Sequence, residues 1–102
     1  DYKTSLQQEV DNIDQQIRTT QINLHSQEKA LTDLLARAGD LERAKQPVPK
    51  FLSDSIAKQR NVVAGQRAAL DRQQAARDAA SARIGPQLQH YRDLKAAQGK
   101  DK

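Results

Sequence analysis

At 102 residues the chain has room for one domain, and with 36% hydrophobic residues and only three aromatics it has too little apolar material for a broad globular core. The absence of cysteine excludes disulfides and thiolate metal sites. The net charge of +4 is uneven: residues 1–50 carry seven Lys/Arg against eight Asp/Glu, whereas residues 51–102 carry ten against five, so the second half is the basic one.

The first predicted element is a long helix over about 5–44. Thr4 followed by Gln7 has the spacing of a capping box, which starts the helix near Ser5. Leu6, Val10, Ile13, Ile17, Leu24, Leu31, Leu34, Ala38 and Leu41 then recur in steps that keep one seven-residue stripe. Gly39 interrupts good helix formers near the end, at a cost of about 1 kcal/mol relative to Ala, so fraying or a bend is expected there. A helix of this length reaches roughly 60 Å.

A turn over about 45–50 follows, because Pro47 and Pro49 each lack an amide donor and restrict the residue before them. Pro49 suits the first position of a second helix, with Ser53 as a later alternative cap. That helix is predicted over about 51–84 on the stripe Leu52, Ile56, Val63, Leu70, Ala80 and Ile84. Gly85-Pro86 then predicts a kink, or a break with a restart over 87–97, while Tyr91 and Leu94 stay in phase with the stripe. The fold class is therefore all-α: a single antiparallel two-helix coiled-coil hairpin.

Antiparallel packing pairs stripe positions whose numbers add to a constant. Leu41 with Ile56, Leu34 with Val63, Ile17 with Ala80, Ile13 with Ile84 and Leu6 with Tyr91 all give 97. The same register sets Ala38 opposite Gln59, Leu31 opposite Gln66, Gln27 opposite Leu70, Leu24 opposite Gln73 and Thr20 opposite Arg77. Its middle is thus partly polar, and long side chains there must reach water or a partner. Glu28 and Arg67, flanking the seam, are expected to meet across it.

Two surfaces outside the seam invite partners. Ala30, Val62, Ala69, Ala76 and Ala79 form a stripe of small residues on which a second hairpin could pack into a four-helix dimer. At the turn, Val48, Lys50 and Phe51 put an aliphatic group, a cation and the only phenylalanine beside rigid prolines, which suits docking of a protein.

Catalytic residues, cofactor-binding residues and metal ligands are not predicted. His25 and His90 lie on different helices without carboxylates at ligand spacing, and no phosphate loop or nucleophile motif is present. The neighbours Asp11 with Asp14 and Asp40 with Glu42 have no cleft that would shift a pKa. Arg60, Arg67, Arg72, Arg77, Arg83 and Arg92 could neutralise phosphates, but they wind around the helix and have few aromatics near them. Nucleic acid is therefore the less favoured partner.

In shape, such a hairpin is similar to those of bacterial efflux and secretion adaptors and of coiled-coil escort proteins of secretion machines. The Arg, Leu and Ser set of the adaptor tip is missing, so no residue role is carried over. The expected function is a non-enzymatic spacer, assembly or interaction module of a bacterial envelope or secretion-type assembly. The alternatives are a nucleic-acid-associated coiled coil and a helical sensor or ligand-binding dimer. The lack of any methionine points to a processed form or a segment of a larger protein, and with the lack of thiols to the periplasm or envelope; the cytoplasm is the alternative. No stretch approaches the ~20 apolar residues that cross a bilayer.

Overall fold

A computed structural model of the chain describes residues 1–100, and beyond Gly85 it describes only the side chain of Leu94. The fold is an all-α helical hairpin: α1 spans Tyr2–Arg43 and α2 spans Lys50–Lys100. α2 runs as one helix through Gly85-Pro86, so the alternative of a separate third helix is not realised. The expected pairing of Leu6 with Tyr91 and the positions of His90 and Arg92 lie outside the described side chains.

α1 begins earlier than the Thr4–Gln7 spacing predicts. Asp1 is the cap: its Oδ1 accepts from the Thr4 amide at 2.8 Å, and its carbonyl accepts from the Ser5 amide at 3.0 Å. Asp is among the best N-cap residues, and here it satisfies two donors that would otherwise be orphaned. Gln7, released from capping, donates instead to Asp11 Oδ1 at 3.0 Å. α1 passes Gly39 without interruption.

The C-terminus of α1 is closed by a Schellman motif. The Lys45 amide bonds the Glu42 carbonyl at 3.0 Å and the Gln46 amide bonds the Leu41 carbonyl at 2.9 Å. This geometry needs a left-handed residue, and Lys45 supplies it with φ 58°. A side chain in that region costs roughly 1–2 kcal/mol. α2 then starts without a side-chain cap: the Pro49 carbonyl accepts from the Leu52 and Ser53 amides at 3.0 and 3.2 Å, and its first turn has no acidic residue. Pro49 is thus the capping position itself rather than the first helical residue.

The hairpin comprises two compact units, Asp1–Ile17 with Arg72–Lys102, and Arg18–Asp71. In the second unit Ala38, Leu52 and Val63 are the buried apolar residues, and Thr20 is buried as well. The register here differs from the predicted one. Gln59 Nε2 donates to the Gln27 carbonyl at 3.0 Å and to Gln27 Oε1 at 2.6 Å. A pairing of Gln59 with Ala38 would leave Gln27 about 16 Å further along α1, beyond the reach of one side chain. The expected meeting of Arg67 with Glu28 does occur, at 3.5 Å.

The first unit, whose buried apolar residues are Leu6, Val10, Ile17 and Ala80, shows the same displacement. Arg77, predicted level with Thr20, bonds Asp14 at 2.6 Å, and Arg83, predicted level with Asp14, bonds Glu9 at 2.9 Å. Moving the register by one heptad accounts for these contacts and keeps each stripe on the other. Val10 then lies level with Ala80 and Leu6 with Ile84; in the second unit Ala38 lies level with Leu52 and Leu34 with Ile56. The pairing constant of 97 was wrong by seven because a heptad repeat matches itself after every slide of seven residues. The short connection from Lys45 to Pro49 selects the lower register by bringing α2 back close to the end of α1.

This register sets Gln73 level with Ile17, and its Oε1 is buried without a hydrogen-bond partner. An unsatisfied buried acceptor costs about 1–3 kcal/mol. Gln73→Leu is expected to stabilise the fold by about 1–2 kcal/mol, read as a higher urea midpoint at unchanged slope. Lys45→Gly, which relieves the left-handed strain at some cost in chain entropy, should raise stability by about 0.5–1 kcal/mol in the same measurement.

Candidate functional site at the helical turn

Closure of α1 at Lys45 and the start of α2 at Lys50 leave Gln46, Pro47, Val48 and Pro49 to cross between the helices. Two of those four residues have φ held by a ring, so the crossing carries little freedom to lose on binding. Val48 is half-buried and Lys50 exposed. The next two residues diverge by position on the helix: Leu52 turns into the core at 3% exposure, while Phe51 stands 70% exposed.

Phe51 is not isolated. With Pro49 and Leu52 from the turn side, and Arg37, Asp40 and Leu41 from the last turns of α1, it lines an open cleft of about 300 Å³. Its walls are largely apolar, while Asp40 is engaged in an ion pair with Arg43 one turn on. The three predicted turn residues are therefore brought to one end of this unit, though only Phe51 lines the cleft. The α1 residues of the cleft were missed by sequence reasoning. Leu41 had a signal as the last member of the stripe, but its position beside Pro49 follows only from the register.

The small-residue stripe is divided between the units. In the second unit Ala30 is exposed while Val62 and Ala69 are half-buried; in the first, Ala76 and Ala79 are exposed. Ile22, at 70%, is exposed as fully as Phe51, on a part of α1 that carries no predicted role.

Three of the described arginines of α2 are committed within the fold. Arg67, Arg77 and Arg83 pair with Glu28, Asp14 and Glu9, leaving Arg60 and Arg72 exposed. The Asp14 carboxylate holds the Arg77 guanidinium above its ordinary value, first by its hydrogen bond and then by its charge; desolvation opposes this and Asp78 adds to it. The upward direction keeps Arg77 charged throughout the ordinary pH range. His25 is exposed, and among the described residues no group of three His, Asp or Glu side chains is placed to hold a metal ion. No described helix is long and apolar enough to cross a membrane.

Asp14→Asn should lower the thermal midpoint in low salt, and the difference from the parent should shrink in 1 M salt, because these partly exposed charges are screened. Thermal denaturation followed by circular dichroism at the two salt concentrations measures both effects. Comparison with protein-family models, with curated proteins and with solved structures found no match.

Proposed function

We propose that the chain is a non-enzymatic interaction module, a helical hairpin that presents its turn to a protein partner as a spacer or assembly element. The observation that carries this reading is Phe51. The only phenylalanine of a chain poor in aromatics stands 70% exposed on a proline-bounded turn, beside a cleft lined by Leu41, Pro49 and Leu52. Folding leaves this large apolar side chain in water instead of in the core, and its exposure beside rigid apolar neighbours is the pattern of a binding anchor.

The setting we propose is a bacterial envelope or secretion-type assembly, in the periplasm. The thiol-free composition supports it. Pairing of two copies through the small-residue stripe is part of the same proposal, and sedimentation across a concentration series tests it: a strictly monomeric species removes the dimer. Commitment of Arg67, Arg77 and Arg83 to acidic partners on α1 weakens the nucleic-acid alternative. Retention of nucleic acid that falls steeply between two salt concentrations would favour that alternative over the module.

A photo-crosslinking phenylalanine analogue at position 51, compared with the same analogue at Ile22, tests docking at the turn in the native host. The expected result is a discrete protein adduct from position 51 and none from position 22, although both side chains start equally exposed. A Val48→Ser substitution should weaken the adduct several-fold with unchanged helicity. Equal crosslinking from both positions, or none from position 51, would remove the turn as the docking site.

A further inference from the structure

We propose that the hairpin has a second register, one heptad away from the observed one, in which α2 begins at Ser53 instead of Lys50 and the helices are displaced by about 10 Å along their axes. The proposal concerns the packing of the two helices and does not depend on the docking reading.

The aliphatic layers of the seam do not discriminate between the two registers. Observed, the wholly apolar layers are Leu6 with Ile84 and Val10 with Ala80 in one unit, and Leu34 with Ile56 and Ala38 with Leu52 in the other. Displaced, they become Ile13 with Ile84, Ile17 with Ala80, Leu34 with Val63 and Leu41 with Ile56, so among the described side chains their number is unchanged. Gln59 and Gln66 lie level with aliphatic groups in both: with Leu31 and Leu24 as observed, and with Ala38 and Leu31 when displaced. A polar residue locks register when it has a matching partner in one alignment alone. Gln59 has one in Gln27, whereas Gln73 has a buried Oε1 without any partner in the observed alignment and so does not hold it there.

The charges also survive the slide. Arg83, now paired with Glu9, comes level with Asp14, while Arg67 comes closer to Glu28, which it already reaches at 3.5 Å. The losses are the Arg77–Asp14 bond and the two bonds of Gln59 to Gln27, which make the displaced register the minor one.

The turn holds the observed register, and it is built for an alternative. α2 starts at Pro49 with no side-chain cap and no acid in its first turn, and Leu52 is the one buried side chain of residues 50–53. Ser53, Asp54 and Ser55, three residues that favour capping positions and disfavour helix interiors, follow immediately and are all exposed. Unwinding Lys50–Leu52 lengthens the connection by the residues the displaced register needs and gives α2 a side-chain cap. Lys45 is meanwhile strained in the observed turn at φ 58°. The slide would move Phe51 from helix to loop, so the surface at the turn would change with the register.

The absence of cysteine makes disulfide trapping direct. In a glutathione buffer, Leu34→Cys with Ile56→Cys reads the observed register, Leu34→Cys with Val63→Cys the displaced one, and Leu34→Cys with Leu70→Cys a control one heptad further. The 34–63 pair is expected to close at least tenfold faster than the 34–70 control. Leu52→Gly, which removes the buried anchor of the first turn, should raise closure of the 34–63 pair relative to the 34–56 pair several-fold. Ile17→Cys with Ala80→Cys against Val10→Cys with Ala80→Cys reports the same slide in the other unit. Closure of the 34–63 pair no faster than the control, in the chain with its turn unaltered, overturns the proposal. That comparison decides the matter even if the Leu52→Gly chain loses its helicity.

Discussion

Two helices alone can shield only one narrow stripe from water, and here that stripe repeats every seven residues with little apolar material to spare. Each layer joins one residue from α1 to one from α2, and burial of a single methylene is worth about 0.8 kcal/mol. Where α2 offers Gln59, Gln66, Gln73 or Arg77, the layer has only one aliphatic member, and the polar side chain must find its partner at the edge of the stripe. Gln59 does so on Gln27 and Arg77 on Asp14. Gln73 leaves an oxygen buried and unpaired. The seam is therefore broad enough to specify a hairpin and too narrow to contribute much beyond it.

The connection between the helices does what the seam cannot. A repeat of seven is indifferent to slides of seven, so the alignment falls to the few residues that join α1 to α2. The Schellman closure at Lys45, the two prolines and the carbonyl of Pro49 together bring Leu52 into the core within a few residues of the end of α1. The cost is a strained lysine and a helix start without a side-chain cap. It also leaves Phe51 outside, since successive helical residues point about 100° apart and only one of Phe51 and Leu52 can face the seam.

The basic character of α2 looks different once the register is known. Among the arginines whose side chains are described, Arg67, Arg77 and Arg83 pair with carboxylates of α1, so part of the charge that reads as a partner surface in sequence is internal to the fold. The turn brings together an exposed aromatic, a flanking lysine and an open apolar cleft completed by Arg37 and Leu41. Val48, Lys50 and Phe51 were legible as unusual because prolines and a lone phenylalanine stand out against Ala, Gln and Arg. The α1 wall of the cleft was not, because nothing local to Arg37 or Asp40 marks them as neighbours of Phe51.

Periodicity and proline placement by themselves determined that the chain is all-helical, that it reverses once near Pro47 and Pro49, and which face of each helix is apolar. These are local properties, written in spacing and in backbone chemistry. Tertiary structure alone decided the register and the pairing of Arg77 with Asp14 and of Gln59 with Gln27. The reason is physical: a heptad pattern specifies a stripe but not its phase against another heptad stripe. Phase is set by how few residues the turn allows, and by which long polar side chains can reach one another once it closes.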